Sequence, residues 1–321
     1  MLLYQYMAVD SYLYKSPDEI IEILKGRGLN FAQVVRAKRL IIENGYFALK
    51  KFTGLFLTDK ATYREGTDFE HIYLVYLFDK DFKIVFLRQL LEIEAKIKAA
   101  IGGVISNRYG TREREYLNSA NYNQTNTHVD AVLAKIRKQK SDYRKNNHDI
   151  LYHEKRHNGC VPFWVLSRCL TMGVIRDLFN ILKPNDQIEV AKIVMTTTTI
   201  DKPVRKLKAM IALLVDVRNM CAHDDTLVGY VHNRIDIGLF PEHHKLKMRS
   251  NDNGELLQGR KDLMAVLISI KYLINKTSYK AFLTSIASLI SKLSAKLSNV
   301  KCNEIVRYIG LSNDYIQLLY M

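Results

Sequence analysis

Apolar residues recur at intervals of three and four along most of the chain, the spacing that places them on one face of a helix. Only 5 prolines and 15 glycines interrupt this pattern over 321 residues, so long helices can form without a break. The pattern predicts a mainly α-helical protein, and its length suits one large domain or two ordinary ones.

Local signals indicate where several of these helices begin and end. Ser16-Pro17-Asp18-Glu19 combines a capping serine, a proline in the first turn and a glutamate three residues after the cap. A helix is therefore expected to begin here and to end at Gly26 to Gly28. A second helix is expected from Phe31 to Asn44. The longest helical tract covers Phe69 to Ile105, where the pattern allows a break near Asp79.

Further helices are expected in the second half of the chain. Pro162 begins a stretch whose apolar stripe includes the sole tryptophan, Trp164, which we interpret as a core residue. Asp201-Lys202-Pro203 begins a later helix, with Asp201 as its N-cap. Two C-terminal helices are expected near residues 261–276 and 278–298.

These elements divide the chain into three segments. We predict an N-terminal helical segment over residues 1–60, a core over residues 61–240 and a C-terminal helical region over residues 241–321. Residues 107–159 within the core are polar and are interpreted as an insertion.

The insertion is also basic. Eight Lys and Arg residues stand against three acidic residues between Lys135 and Arg156, with Tyr143 and Tyr152 among them. Bases can stack on such tyrosines while the cations hold phosphates, although a solvated helix face explains the same run equally well. The candidate RNA-binding residues here are Lys135, Arg137, Lys138, Lys140, Arg144 and Lys145.

The overall charge favours a polyanionic partner. The chain has 48 Lys and Arg against 33 Asp and Glu, a formal net charge of +15, which does not by itself distinguish RNA from DNA or an anionic membrane.

The four cysteines form no Cys-x-x-Cys pair, and no stretch approaches the roughly 20 apolar residues of a membrane span. Residues 1–10 are too short and too poor in basic residues for a signal peptide. We therefore expect a soluble, reduced, cytoplasmic protein.

The segment that most specifically indicates a catalytic function is Arg218-Asn219-Met220-Cys221-Ala222-His223. It lies at the end of an amphipathic helix pattern. At 100° per residue, Asp216, Asn219 and His223 share one side, so either polar residue can hydrogen-bond the imidazole. Arg218 lies about 140° away from His223 on that helix. Two copies of the element facing across a dimer axis would bring the two groups together more easily than one copy.

These residue types suit the cleavage of RNA without a metal. RNA carries its own nucleophile, the 2′-hydroxyl, and an imidazole can take or return a proton near neutral pH. A guanidinium can stabilise the charge that builds on the phosphate oxygens, and the products would be a 2′,3′-cyclic phosphate and a 5′-hydroxyl. The alternative is an RNA-binding or RNA-chaperone protein that does not cut. The nine histidines show no recognised metal spacing, and there is no glycine-rich nucleotide loop, so neither a metal nor another cofactor is expected.

Short motifs spread over most of the chain are similar to those of one family. They are Asn44-Gly45-Tyr46-Phe47, Gly66-Thr67-Asp68-Phe69, Tyr76-Leu77-Phe78-Asp79, Ile93-Glu94, Tyr109-Gly110, Pro162-Phe163-Trp164-Val165, Met172-Gly173, and the Arg218 to His223 segment followed by Asn233-Arg234. On these motifs the chain resembles the Abi-like bacterial abortive-infection proteins of the AbiD and AbiF type, in the wider HEPN superfamily of RNA-directed proteins.

This resemblance implies an all-α, HEPN-like helical bundle with N-terminal and C-terminal helical extensions. It implies that Arg218 and His223 are the catalytic pair of an endoribonuclease, with Asn219 as the orienting polar residue. Arg234 is a candidate phosphate contact, for which a structural salt bridge is an equally good explanation. The resemblance further implies a homodimer or higher homo-oligomer, a toxic role in antiphage defence, and in some relatives a small non-coding RNA as partner.

The chain also departs from the family pattern. Asp224-Asp225 stands where relatives often have a second histidine, and Lys83 and Lys98 stand where arginine is usual. Two carboxylates beside the motif would repel phosphate, so these departures are expected to weaken catalysis rather than to change the fold.

Overall fold

The computed structural model describes residues 13–145, 148–197, 199–246 and 248–320. Helices supply the regular structure of these residues, which contain isolated β-bridges but no strand. The predicted all-α fold is thereby confirmed, whereas the finer HEPN-like arrangement stays a prediction. The apolar stretch at residues 1–10 lies outside the described residues.

The described helices follow one another closely along the chain. They are α1 (Pro17–Lys25), α2 (Val34–Asn44), α3 (Tyr46–Lys50), α4 (Phe69–Tyr109), α5 (Glu113–Tyr116), α6 (Val129–Arg144), α7 (His148–Arg156), α8 (Phe163–Leu166), α9 (Met172–Ile181), α10 (Pro184–Val194), α11 (Pro203–Ala222), α12 (Pro241–Lys245), α13 (Leu263–Lys271), α14 (Lys276–Ser294) and α15 (Cys302–Ile309). Short 3-10 turns join several of them.

The chain forms two compact units. The described part of the first comprises residues 13–81 and 288–308, and that of the second comprises residues 82–287 and 309–320. The segments inferred from the sequence, with boundaries at residues 60 and 240, stay predictions.

The first unit begins with the capping signal that the sequence predicts. The Ser16 side chain accepts a hydrogen bond from the Glu19 N–H, and the Glu19 carboxylate accepts one from the Ser16 N–H at 2.7 Å, which together form a capping box. Helix α1 then buries Ile21 and Leu24 and packs against α2, which in turn packs against α3. Gly45, whose φ of 75° favours glycine, ends α2.

Helix α11 lies among other helices of the second unit. It packs against α9, α10 and α13, and α9 also packs against α6. Of the apolar face that the sequence pattern predicts for this helix, Met210, Leu213, Leu214 and Val217 are buried, whereas Cys221 is only half-buried. The buried residues of α11 are Leu207, Met210, Ile211, Leu213, Leu214, Val215 and Val217. Because three neighbouring helices cover α11, its C-terminal end is held in a defined position.

Two local predictions for the second unit are wrong. Asp201 does not cap α11: the N-cap is Lys202, in a left-handed conformation with φ 48°, and the Asp201 carboxylate instead accepts a hydrogen bond from Lys206 Nζ at 2.6 Å. Trp164 is not a core residue, because 51% of it is exposed. Helix α8 buries its other three residues and leaves the tryptophan at the surface.

Helix α4 continues beyond the predicted end of its tract. It runs through Asp79 and through the Gly102-Gly103 pair to Tyr109. A Cβ placed on Gly102 would lie 3.5 Å from Phe163 Cδ1 and 3.8 Å from Trp164 Cα, so α8 packs directly on this turn. Packing thus offsets the low helix propensity of glycine here. No described helix has both the length and the apolar content that crossing a membrane requires.

Candidate functional site

The Arg218 to His223 motif occupies the last turns of α11 and the first residue beyond it. The helix ends at Ala222, and His223 has an extended backbone whose N–H donates to the Asn219 carbonyl oxygen at 3.0 Å. Arg218 is half-buried, whereas Asn219 and His223 are exposed. The imidazole therefore stands at the C-terminal end of the helix, where solvent and a ligand can reach it.

A lysine of α4 holds the chain where it leaves α11. Lys83 Nζ donates to the carbonyl oxygen of Asp225 at 2.9 Å and to that of His223 at 3.3 Å. Carbonyl groups at a helix C-terminus lack intrahelical partners and carry partial negative charge, so an ammonium group is favourable there. The sequence singled out Lys83 only as a departure from the family, and the structure places it at the backbone of His223.

A buried carboxylate lies beside Arg218. Glu94 of α4 is 8% exposed, and its Oε1 lies 2.8 Å from Lys98 Nζ. Its Oε2 lies 3.6 Å from Arg218 Nε, which is too far for a hydrogen bond, and both of these buried atoms lack a hydrogen-bond partner in the described part of the chain. Electrostatic attraction therefore directs Arg218 toward α4 without a fixed hydrogen-bond geometry.

The sequence analysis assigned no role to Glu94. The residue belongs to the Ile93-Glu94 motif, but its contact with Arg218 joins positions that are far apart in the chain. One sequence signal could have identified it: a carboxylate on the apolar stripe of Leu90, Ile93 and Ile97, with a lysine four residues later.

The two polar residues that could orient the His223 ring are Asp216 and Asn219, and their side chains form no hydrogen bond with it in the described structure. Tyr230 Oη donates to Asp216 Oδ2 at 2.8 Å, and burial together with this hydrogen bond raises the pKa of Tyr230. Asn219 contacts His223 through its backbone carbonyl. Within the described residues, neither side chain hydrogen-bonds the imidazole ring, so backbone contacts position His223.

The Asn233-Arg234 segment forms an ordered loop after α11. His232 Nδ1 accepts the N–H groups of Arg234 and Ile235 at 2.9 and 2.8 Å, and the His232 N–H donates to the Lys261 carbonyl oxygen at 2.7 Å. The Arg234 side chain is exposed. His232 therefore has a structural role, and the phosphate contact of Arg234 stays a prediction.

The predicted basic insertion is held together largely by its own ion pairs. Four of its six candidate residues have partners within the protein. Lys135 lies 3.1 Å from Asp177, Arg144 lies 2.6 Å from Glu154, Lys140 binds Glu113 and Glu154, and Arg137 donates to the Leu117 carbonyl oxygen. Lys138 and Lys145 are exposed. Helix α9 packs against both α6 and α11, so the insertion contacts the motif helix through α9, and its part in RNA binding stays a prediction.

A charged cavity lies at the end of α11 opposite the motif. It encloses about 410 Å³ and is lined by Lys202, Arg205, Arg260 and neighbouring residues, none of which belongs to the motif. The lining reaches Ala209 of α11, so at 1.5 Å per residue the cavity lies at least about 21 Å from His223 along the helix. The motif, where an imidazole and a guanidinium occur together, stays the candidate site. In the described residues, no group of three His, Cys, Asp or Glu side chains is arranged to hold a metal ion.

Comparison with known proteins identifies the family. The model of the Abi-like protein family matches residues 39–228, which is more than half of the chain. The chain belongs to the Abi-like family. Membership indicates a part in abortive infection, a form of phage defence. No curated protein and no solved structure matches the chain. The range matched to the Abi-like family includes the Lys83, Glu94, Arg218 and His223 positions, whereas Arg234 lies beyond it.

Proposed function

We propose that this Abi-like protein is a metal-independent endoribonuclease of the HEPN type, in which Arg218 and His223 form the catalytic pair. The observation that carries the proposal is the end of α11, where an exposed imidazole and a half-buried guanidinium occur within two turns of one helix. Each lies beside a lysine of α4: Lys83 binds the backbone of His223, and Lys98 shares the Glu94 carboxylate with Arg218.

The proposed reaction uses the 2′-hydroxyl of RNA. His223 takes the hydroxyl proton, the 2′-oxygen bonds to phosphorus, and the bond from phosphorus to the 5′-oxygen breaks. The departing 5′-oxygen takes a proton from water, which leaves a 2′,3′-cyclic phosphate and a 5′-hydroxyl. Arg218 stabilises the charge on the two non-bridging oxygens as it builds up. DNA lacks the 2′-hydroxyl and should resist cleavage.

We further propose that the active form is a homodimer or a higher homo-oligomer. The reaction needs a guanidinium and an imidazole at the same phosphate. Arg218 points toward α4 and His223 projects from the helix end, so two copies related by a twofold axis can complete one site between them.

Glu94 and Lys83 would act as positioning residues in this proposal. Glu94 holds the Arg218 side chain against α4, and Lys98 balances part of the negative charge that Glu94 brings near a phosphate. Lys83 fixes the backbone at His223 and Asp225.

An RNA-binding protein that does not cut is the second candidate. Three carboxylates favour it: Glu94 occupies one side of Arg218, and the exposed Asp224 and Asp225 follow His223 directly. All three would repel the phosphate at which charge must build up. In this form the protein would act in phage defence by holding an RNA, such as a small non-coding RNA.

A cleavage assay separates the two candidates. We expect the purified protein to cleave labelled single-stranded RNA in the presence of EDTA, to leave 2′,3′-cyclic phosphate ends, and to spare DNA of the same sequence. The variant His223→Ala should lose this activity by a factor of at least about 100, because proton transfer is worth that much.

The matched control is His244→Ala, which removes another exposed histidine of the second unit and should keep full activity. Uncut RNA bound tightly and in a salt-dependent manner would instead support the non-cleaving protein. Cleavage that survives in His223→Ala would show that the catalytic pair is assigned incorrectly.

A further inference from the structure

The sole tryptophan of the chain is exposed, although its neighbours are buried. Helix α8 buries Phe163, Val165 and Leu166, and 51% of Trp164 remains accessible. Trp164 therefore presents part of a flat aromatic ring to solvent.

Trp164 lies on the same face of α4 as the contact with Arg218. Glu94, Lys98 and Gly102 are four residues apart, so they form one row along the helix. Trp164 packs on Gly102, one turn or about 6 Å beyond Lys98, and Glu94 at the other end of the row contacts Arg218. The tryptophan is therefore in line with the guanidinium of the proposed catalytic pair.

Beside this row, the surface of α4 carries only small side chains. Ala95, Ala99 and Gly103 form a second row of small, exposed residues, and a Cβ placed on Gly103 would meet no described atom within 4 Å. The surface next to the turn on which Trp164 packs is therefore open. The row itself is not a binding site, but it gives a ligand access to the ring.

We infer that Trp164 stacks against a base of the RNA whose phosphate is held at Arg218. This inference rests on the proposed function, because it takes RNA as the partner. Unpaired RNA bases stack on aromatic side chains while nearby cations hold the backbone. The cations Lys98 and Arg218 exceed the single carboxylate of Glu94 in this row, so its charge favours a phosphate.

The test uses the intrinsic fluorescence of the full-length protein, which reports on Trp164 alone because the chain has 1 tryptophan. The probe is a single-stranded RNA of ten nucleotides with 2′-O-methyl groups, which cannot be cut by its own hydroxyls. We expect the RNA to quench the fluorescence with the same midpoint that anisotropy of a labelled copy gives. Inorganic polyphosphate, which has charge but no bases, should bind without comparable quenching.

Variants test the energetic contribution of the ring. Trp164→Ala should weaken RNA binding by roughly 5- to 150-fold, and Trp164→Phe should recover most of that loss. The matched control is Phe47→Ala, which removes an exposed aromatic of the first unit and should leave the affinity unchanged. Circular dichroism establishes that each variant is folded, and the quenching measurement needs no variant.

Each remaining outcome overturns either the stacking role of Trp164 or the proposed function. RNA that binds by anisotropy without quenching, or equally well to Trp164→Ala, overturns the stacking role and leaves the proposed function intact. Equal quenching by polyphosphate overturns it as well, because bases would then be unnecessary. No RNA binding by either method overturns the proposed function, and the inference with it.

Discussion

Glu94 lies in an environment that composition alone does not predict. Its carboxylate is buried between Lys98 and Arg218, whose side chains are 14% and 31% exposed. Removing one member of such a cluster leaves the others facing each other with less solvent to separate them. The motif Arg218 to His223 could be identified from the sequence, but this partner could not, because only folding brings α4 and α11 together.

Replacing Glu94 by glutamine tests its positioning role. Glu94→Gln should lower the free energy of unfolding by about 1–3 kcal/mol, because two cations lose their shared carboxylate in a largely buried place. RNA cleavage should fall as well, since Arg218 is then no longer held against α4. Urea unfolding and the cleavage assay measure the two effects.

The control for this change is Glu92→Gln on the same helix. Glu92 is exposed, so its loss should change the unfolding free energy by less than about 0.5 kcal/mol and leave cleavage unaltered. Equal effects of the two variants would show that Glu94 contributes no more than an ordinary surface charge.

At the scale of elements, local chemistry predicts some ends well and tertiary packing decides the others. The start of α1 could be predicted because Ser16 and Glu19 satisfy each other without help from the rest of the chain. The start of α11 could not, because Asp201 pairs with Lys206 rather than with the helix amides. Trp164 was misplaced because an apolar stripe does not show which of its members a neighbouring helix covers.

Helix α6 shows the same limit for charge patterns. A basic run in a sequence is equally typical of a phosphate-binding face and of an ion-pair network, and here Lys140 lies in a network with Glu113 and Glu154. Burial opposes ionisation of Lys140 and of Glu154, but hydrogen bonds outweigh it: those of Lys140 to Glu113 and Glu154, and those of Glu154 to Lys140 and Arg144. The pKa of Lys140 is therefore raised and that of Glu154 is lowered.

The pH dependence of this pair follows from those two shifts. The contribution of Glu154 to stability is fully present when the pH is above the ordinary pKa of a glutamate, about 4.3. It is lost as the pH falls through the lowered pKa of Glu154. The contribution of Lys140 is fully present when the pH is below the ordinary pKa of a lysine, about 10.4. It is lost as the pH rises through the raised pKa of Lys140. Lys140→Met should therefore cost about 1–3 kcal/mol of unfolding free energy at pH 7 and much less at pH 3.

Urea midpoints at both pH values measure this difference, with Lys138→Met as the control. Lys138 is an exposed residue of the same helix, and its loss should cost less than about 0.5 kcal/mol at either pH. A cost for Lys140→Met that is equal at pH 7 and pH 3 would contradict the assigned ion pairs.

For the whole molecule, the question is whether one chain contains a complete site. Arg218 is directed toward α4. Lys83 of α4 holds the backbone where the chain leaves α11, because it binds the carbonyl oxygens of His223 and Asp225. In the described part of the chain, no hydrogen bond joins Arg218 to His223. A closed symmetric assembly supplies a second imidazole and a second guanidinium without any change in the fold.

Mixing two inactive variants tests whether the site is shared. Arg218→Ala and His223→Ala should each be inactive alone. If the pair works between copies, subunit exchange produces mixed dimers in which one of two sites has both groups. Random exchange of equal amounts makes half of the dimers mixed, so activity should recover to about a quarter of the normal value. Since the recovery needs exchange, sedimentation must first show a dimer at the assay concentration. Mixed dimers that form without regaining activity would place both groups in the same chain.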